Sequence, residues 1–310
     1  MFEFPQFHIL DEVKLALEQQ KPLVALESTV ITHGLPFPVN VKLAQDMENV
    51  IRRNWAVPAT ICVLDGVIQV GTNKDQLARL SSEEGLLKIS LRDFAVAIQQ
   101  KKSRGTTVAG TMFIASKMGI KVFATGGIGG VHRRESDAAA NSYDISTDLY
   151  ALSNIPMIIV CAGAKAILDL PATLEIMETL GIPVIGYQTD EFPAFYSRSS
   201  GLKVPISVEN PREIVDLARY HWGLGLKSAI LVTVPPPKDV ALPIEVVDRA
   251  IEQAIKEAKA NHIHGQKVTP FLLEKVNEHT QGKSMEANLG LLRNNAYIAS
   301  LISKEANGQL

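Results

Sequence analysis

Short apolar runs alternate along this chain with longer segments in which apolar residues recur every three or four positions. LVAL (23–26), ATICVL (59–64), VFAT (122–125), MIIVC (157–161), VIGY (184–187) and SAILVTV (228–234) are too short for helices and show no polar face, as expected of strands buried on both sides. Val67–Val70 lies across Asp65-Gly66 from one of these runs and predicts a hairpin, and LKISL (87–91) predicts a further strand carrying Lys88. Helical spacing predicts helices over 9–20, 40–54, 74–81, 93–101, 106–118, from 148 onward, and over 169–180, 211–222, 244–260, 270–278 and 285–304. Residues 31–38, 192–200 and the triple proline 235–237 read as loops. Strand and helix signals alternating in this way predict a layered α/β domain, and the lack of a repeat or low-complexity linker predicts one domain across residues 1–310.

Composition narrows the function. A net charge of −2 over 310 residues argues against a broad nucleic-acid footprint. No apolar run approaches the ~20 residues of a membrane span. MFEFPQFHILDEVK has neither a basic start nor a long apolar stretch, so no secretory signal is expected. Cys62 and Cys161 lie inside apolar runs and read as reduced core thiols of a cytoplasmic protein.

Candidate chemistry gathers where strands end. VFATGGIGGVHRRESDAAANSYDISTD (122–148) passes from a strand into four glycines, then into His132, Arg133 and Arg134, and closes on Asp144 and Asp148. Glycines after a strand let backbone N–H groups approach an anion, although they also serve as an ordinary tight turn. Asp144 and Asp148 offer oxygens to a hard divalent cation, or one of them caps the next helix. In CAGAKAILDL, Lys165 has only small or apolar neighbours; desolvation there would lower its pKa and free a nucleophilic amine. The bland alternative is a lysine in the first turn of a helix, reaching out to solvent. Glu27, at the end of LVAL, is either a general acid and base with a raised pKa or a turn cap. Lys88 needs an anionic partner, ligand or carboxylate. His33 reads as an ordinary loop histidine, Asn288 as an exposed helical asparagine, and His262 and His264 as too sparse a pair for zinc.

Longer motifs carry a resemblance. ALESTVITHGLPFPVN (25–40), KISLRD (88–93), GTTVAGTM (105–112), VFATGGIGGVHR (122–133), YDISTDL (143–149), VCAGAKAILDLPATLE (160–175), GIPVIGYQTDEFPAFY (181–196) and TPFLL (269–273) resemble the pseudouridine-5′-phosphate glycosidases, a family that includes the indigoidine-synthase A-like proteins. The resemblance runs from about residue 9 to 304. RRESDAAANSY, between His132 and Asp144, is a few residues longer than the usual pattern.

The resemblance implies a three-layer α/β/α fold with a central mixed sheet, a homotrimer, a cytoplasmic location and a divalent metal, usually manganese. It implies reversible cleavage of pseudouridine 5′-phosphate to uracil and ribose 5-phosphate, an activity classed among carbon–oxygen hydro-lyases and belonging to pseudouridine catabolism. On the matching positions, Lys165 is the nucleophile, Glu27 the proton donor and Asp144 the metal ligand. Lys88, Val108 (through its backbone), Ser146, Thr147 and Asp148 contact substrate; Thr125 and His132 lie near the phosphate, and Asn288 faces the uracil. The bond to be broken is carbon–carbon, so protonating a leaving oxygen does not suffice. A lysine imine at C1′ of the opened ribose, with Glu27 delivering protons, supplies a route. Two rivals share these features: a Schiff-base aldolase acting on a sugar phosphate, which needs no uracil pocket, and a phosphosugar-binding regulator, in which Lys165 and Glu27 are structural.

Overall fold

The computed structural model describes residues 7–83, 85–133, 144–263 and 268–310. In chain order they form β1 (Phe7–Ile9), α1 (Asp11–Glu18), β2 (Leu23–Leu26), a π-helical turn (Val30–Gly34), α2 (Val39–Arg53), β3 (Val57–Leu64), β4 (Val67–Val70) and α3 (Lys74–Ser82). There follow β5 (Leu87–Ile89), a 3₁₀ turn (Leu91–Asp93), α4 (Phe94–Gln99), β6 (Arg104–Thr106), α5 (Val108–Lys117), β7 (Val122–Ala124), β8 (Val131–His132) and α6 (Thr147–Asn154). The remainder is β9 (Ile158–Cys161), β10 (Leu168–Asp169), α7 (Leu170–Thr179), β11 (Val184–Tyr187), β12 (Ile206–Val208), α8 (Pro211–Gly223), β13 (Ile230–Thr233), α9 (Ile244–Ala260), α10 (Val268–His279) and α11 (Lys283–Ala306).

The main sheet has the order β1-β4-β3-β2-β7-β9-β13-β11-β12, with β6 added to β3 and β5 to β6. From β3 to β12 every neighbour is parallel, whereas β4 and β6 meet β3 antiparallel, so the sheet is mixed. Helices flank it: α11 packs on β2, β7 and β9 and against α2 and α8, while α5 packs on β2 and β3 and against α6. Covered on both faces, β2, β7, β9, β11 and β13 are buried at every residue, which is why they read as unbroken apolar runs. The expectation of an α/β fold with a large mixed sheet between helices therefore holds.

The differences are local. β1, β6, β8, β10 and β12 are two or three residues long, too short to leave a period in the sequence. Arg104–Thr106 pairs with β3 and β5, so the helix expected from residue 106 starts at Val108, capped by the Thr107 hydroxyl accepting from Gly110 N–H. The strand expected over 87–91 ends at Ile89 because Ser90 turns the chain into the 3₁₀ segment. Residues 31–34 of the expected loop belong to the π turn over Val30–Gly34. No helix among the described residues is long and apolar enough to cross a membrane. Cys62 and Cys161 are buried free thiols.

Two helices and a loop are joined at the carboxyl edge of the sheet by one carboxylate. Asp148, nearly fully buried, accepts Ala109 N–H at 2.9 Å on one oxygen and Gly129 N–H at 2.8 Å on the other. Gly129 is required there: a Cβ would sit 2.2 Å from the Ser146 hydroxyl. Asp148→Ala leaves two buried N–H groups without partners, each costing about 1–3 kcal/mol. A loss of about 2–5 kcal/mol is expected in urea unfolding, with Asp148→Asn intermediate; wild-type stability in Asp148→Ala would show that the bridge holds nothing together.

Candidate active site

The register of three adjacent strands builds the site. Leu26 pairs with Ala124, and Ala124 with Val160. The next residue on β2 is Glu27 and on β7 is Thr125, and both emerge at the carboxyl edge of the sheet. The chain leaves β2 for β3 on one side and later returns as β7 on the other, so this edge lies at the point where the strand order reverses.

Beyond the ladder, the glycine run and the AGAK segment continue side by side. Ala162 N–H donates to Gly126 O at 2.8 Å, Ile128 N–H to Gly163 O at 3.1 Å and Lys165 N–H to Ile128 O at 3.1 Å. Gly163 adopts φ +86°, and a Cβ there would lie 2.4 Å from the Pro193 carbonyl. This turn presents Lys165 to the cavity. Lys165 is not in the first turn of a helix, as the bland reading had it: α7 begins only at Leu170, with the Asp169 side chain as its cap. In the glycine run, which borders the cavity at Gly126, Gly127 and Gly129, the Gly129 N–H is engaged by Asp148.

A cavity of about 450 Å³ opens at this edge. Glu27, Lys88, Val108, His132, Asp144, Ser146, Thr147, Asp148, Lys165 and Asn288 all border it, so ten of the eleven residues singled out in the sequence converge on one space. Thr125 does not. It is fully buried, and its hydroxyl donates to the Glu27 carboxyl from behind. The reason is pleat and register, which turn that side chain toward β2 rather than outward. Arg133 does not border the cavity; it donates to the carbonyls of Leu168 in β10 and of Ala166 at 3.2 Å and lies 3.5 Å from Asp248 of α9. Arg134, the rest of the long stretch before Asp144, and His264 lie outside the described residues.

Lysines and carboxyls share the cavity. Burial pushes Glu27 above the ordinary carboxylate range, against the opposing pull of Lys165 and the Thr125 hydroxyl. Burial, reinforced by repulsion from Lys165, pushes Lys88 down. No carboxylate among the described residues lies within ion-pair distance of Lys88 or Lys165. The N-termini of α5 and α6 face the same space, at Val108 and Thr147. Lys88 and Lys165, neither of them ion-paired among the described residues, beside the first residues of α5 and α6 make a site for an anionic group, although Asp148 already takes the Ala109 N–H of α5.

His33, read as an ordinary loop residue, also lines the cavity. Its Nδ1 lies 2.6 Å from the Thr32 hydroxyl, and burial with help from Lys88 pushes it down to about 4. Phe195, held at φ +60°, lies close against Gly127 and forms part of the wall. Neither residue carries a sequence signal beyond its place in a long motif.

Asp144 lies at the mouth with its side chain 65% exposed, 3.9 Å from His132 Nδ1. No group of three or more His, Cys, Asp or Glu residues with metal-site spacing occurs among the described residues. One exposed carboxylate beside an anion site suits a hard cation that keeps most of its waters, and not a caged structural ion.

Comparison with known proteins agrees in extent and kind. The family model described as "Indigoidine synthase A like protein" matches residues 12–305. The pseudouridine-5′-phosphate glycosidase of Caldanaerobacter subterraneus subsp. tengcongensis is 49% identical over 297 residues, covering 96% of this chain and 95% of that protein. The enzyme of that name from Petrotoga mobilis is 48% identical over 303 residues, covering 98% of each. Among solved structures, an indigoidine synthase A-like protein from Thermotoga maritima superposes with a TM-score of 0.87 at 33% identity, over 98% of this chain and 97% of that one. The prealnumycin C-glycosynthase AlnA, solved in complex with ribulose 5-phosphate, gives 0.88 at 35% identity, covering 97% of each chain. By sequence along nearly its whole length and by fold, the chain belongs to the indigoidine synthase A-like family.

Proposed function

We propose that this protein is an enzyme that reversibly cleaves the C1′–C5 bond of pseudouridine 5′-phosphate, releasing uracil and ribose 5-phosphate. The observation that carries the reading is the meeting in one cavity of Lys165 and the buried Glu27, with Lys88 bordering the same space and not ion-paired among the described residues. The names borne by relatives at 48–49% identity and the pentose phosphate complex of AlnA support the substrate class.

Lys88, the amides of Val108 and Thr147 and the hydroxyls of Ser146 and Thr147 form the phosphate end, with His132 beside it. Holding the phosphate orients the ribose while contributing nothing to the reacting bond itself. Asn288 marks the uracil end. Asp144 would hold the divalent cation, which when bound offsets phosphate charge and aids binding.

The chemistry then falls to two side chains. Burial keeps Glu27 protonated above the usual range, so it donates to the ribose ring oxygen as the C1′–O bond opens. The Lys165 amine adds to C1′, forming a C–N bond, and its surplus proton returns to the Glu27 carboxylate. Glu27 passes that proton to uracil C5. The C1′–C5 bond breaks as the lysine nitrogen lone pair forms the C=N bond of the iminium. Water hydrolyses the iminium, releasing ribose 5-phosphate and the free amine. A sugar-phosphate aldolase would use the same lysine without needing uracil.

Incubation with manganese, uracil and ribose 5-phosphate should yield a C-nucleotide detectable by mass spectrometry, and borohydride should trap ribose 5-phosphate on Lys165; Lys165→Ala should give neither. Trapping without uracil incorporation would favour the aldolase reading. Lys88→Ala should raise KM for ribose 5-phosphate about tenfold or more while changing kcat little, which initial-rate kinetics would show. Asp144→Ala should lose the activation by manganese; an unchanged metal titration would remove Asp144 from that role.

A further inference from the structure

Asn295 lies on α11, fully buried and outside every motif discussed above. Its side-chain nitrogen donates to the Thr125 carbonyl at 2.8 Å and approaches the Gly126 carbonyl at 3.5 Å. Its side-chain oxygen is buried with no hydrogen-bond partner. A buried amide with an orphaned oxygen weakens a core, so its nitrogen must serve a purpose that an apolar residue would not. The position supplies that purpose. Ala124 is the last β7 residue paired with β2, and the next two carbonyls lie past the end of that ladder. Asn295 takes over from the strand there and holds the Thr125–Gly126 peptide.

Thr125 is thereby fixed from three directions. Its N–H donates to Val160 O at 3.0 Å, its carbonyl accepts from Asn295, and its hydroxyl donates to Glu27. We propose that Asn295 is a positioning residue for the reaction, acting through Thr125 to aim the Glu27 carboxyl into the cavity. This rests on the proposed role of Glu27 and deepens it. The other groups facing Glu27 are Lys165 on the β9–β10 connection, Lys88 on β5 and Asp148 on α6. The Thr125 hydroxyl favours the charged carboxylate, so its loss moves the titration of Glu27 to higher pH.

The test compares Asn295→Leu, Thr125→Val, Thr125→Ser and the double variant Asn295→Leu/Thr125→Val. Synthesis from uracil and ribose 5-phosphate is measured against pH, and the Glu27 carboxyl is titrated directly by ¹³C NMR, assigned with Glu27→Gln. In Asn295→Leu and in Thr125→Val, kcat should fall about tenfold to a hundredfold with KM for ribose 5-phosphate nearly unchanged. The Glu27 titration should rise by about one pH unit in both, and Thr125→Ser should restore both readouts. The double variant should be no worse than the poorer single variant, as expected of residues acting in series. An unmoved Glu27 titration in Asn295→Leu, or fully multiplicative losses in the double variant, would overturn the proposal. An inactive wild type would overturn the assigned reaction, while the direct titration would still decide the relay. If Asn295→Leu does not fold, Thr125→Val and Thr125→Ser carry the same decision on the hydroxyl, and Asn295→Ser that on the amide.

Discussion

Everything at the site depends on the carboxylate of Asp148 remaining bound by two backbone amides. One amide belongs to the first turn of α5 and the other to the glycine run after β7, and Asp148 itself lies in the first turn of α6. Three segments are thus pinned at one carboxylate. Charge-assisted hydrogen bonds of this kind are short and strong, and a buried carboxylate without them would be costly. The arrangement also sets the mouth of the cavity, because Val108, Ser146 and Thr147 take their places from those same two helix starts.

Within that frame the two lysines of the cavity have no ion-pair partner among the described residues. Lys88 and Lys165 repel each other across it, and Glu27 is too deeply buried to ionise readily. A fold seeking only stability would have paired these groups or replaced them with apolar ones. Leaving them unpaired makes the cavity complementary to a substrate that brings its own negative charge. Burial pushes Glu27 toward its proton-donating form against the pull of both lysines, and burial, with repulsion from Lys165, lowers the proton affinity of Lys88.

The sequence reveals the buried strands well because a sheet covered on both faces leaves runs such as LVAL and MIIVC with no polar interruption. It reveals Lys165, Glu27 and Asp144 through long motifs, and the cavity brings them together. What it hides follows from geometry. Strands of two or three residues, such as Arg104–Thr106, are shorter than any period. The inward turn of Thr125 depends on pleat and on pairing with β2, which lies about a hundred residues away in the chain. Asn295 looks like any polar residue of a surface helix until α11 is seen packed on β7. His33 becomes part of the cavity only because a π turn carries it there.

The three strands that carry Glu27, Thr125 and Lys165 are neighbours in space but not in sequence. No contiguous fragment short of about 140 residues holds all three, and β2 meets β7 only after nearly a hundred intervening residues have been ordered. Closing such loops is slow, and parallel pairings form late compared with local helices. A lysine that is desolvated in the finished cavity stands open to solvent in a half-formed chain. Because the niche around Lys165 is assembled from contacts between distant segments, a chain in which those segments have not yet met carries only an ordinary solvated lysine.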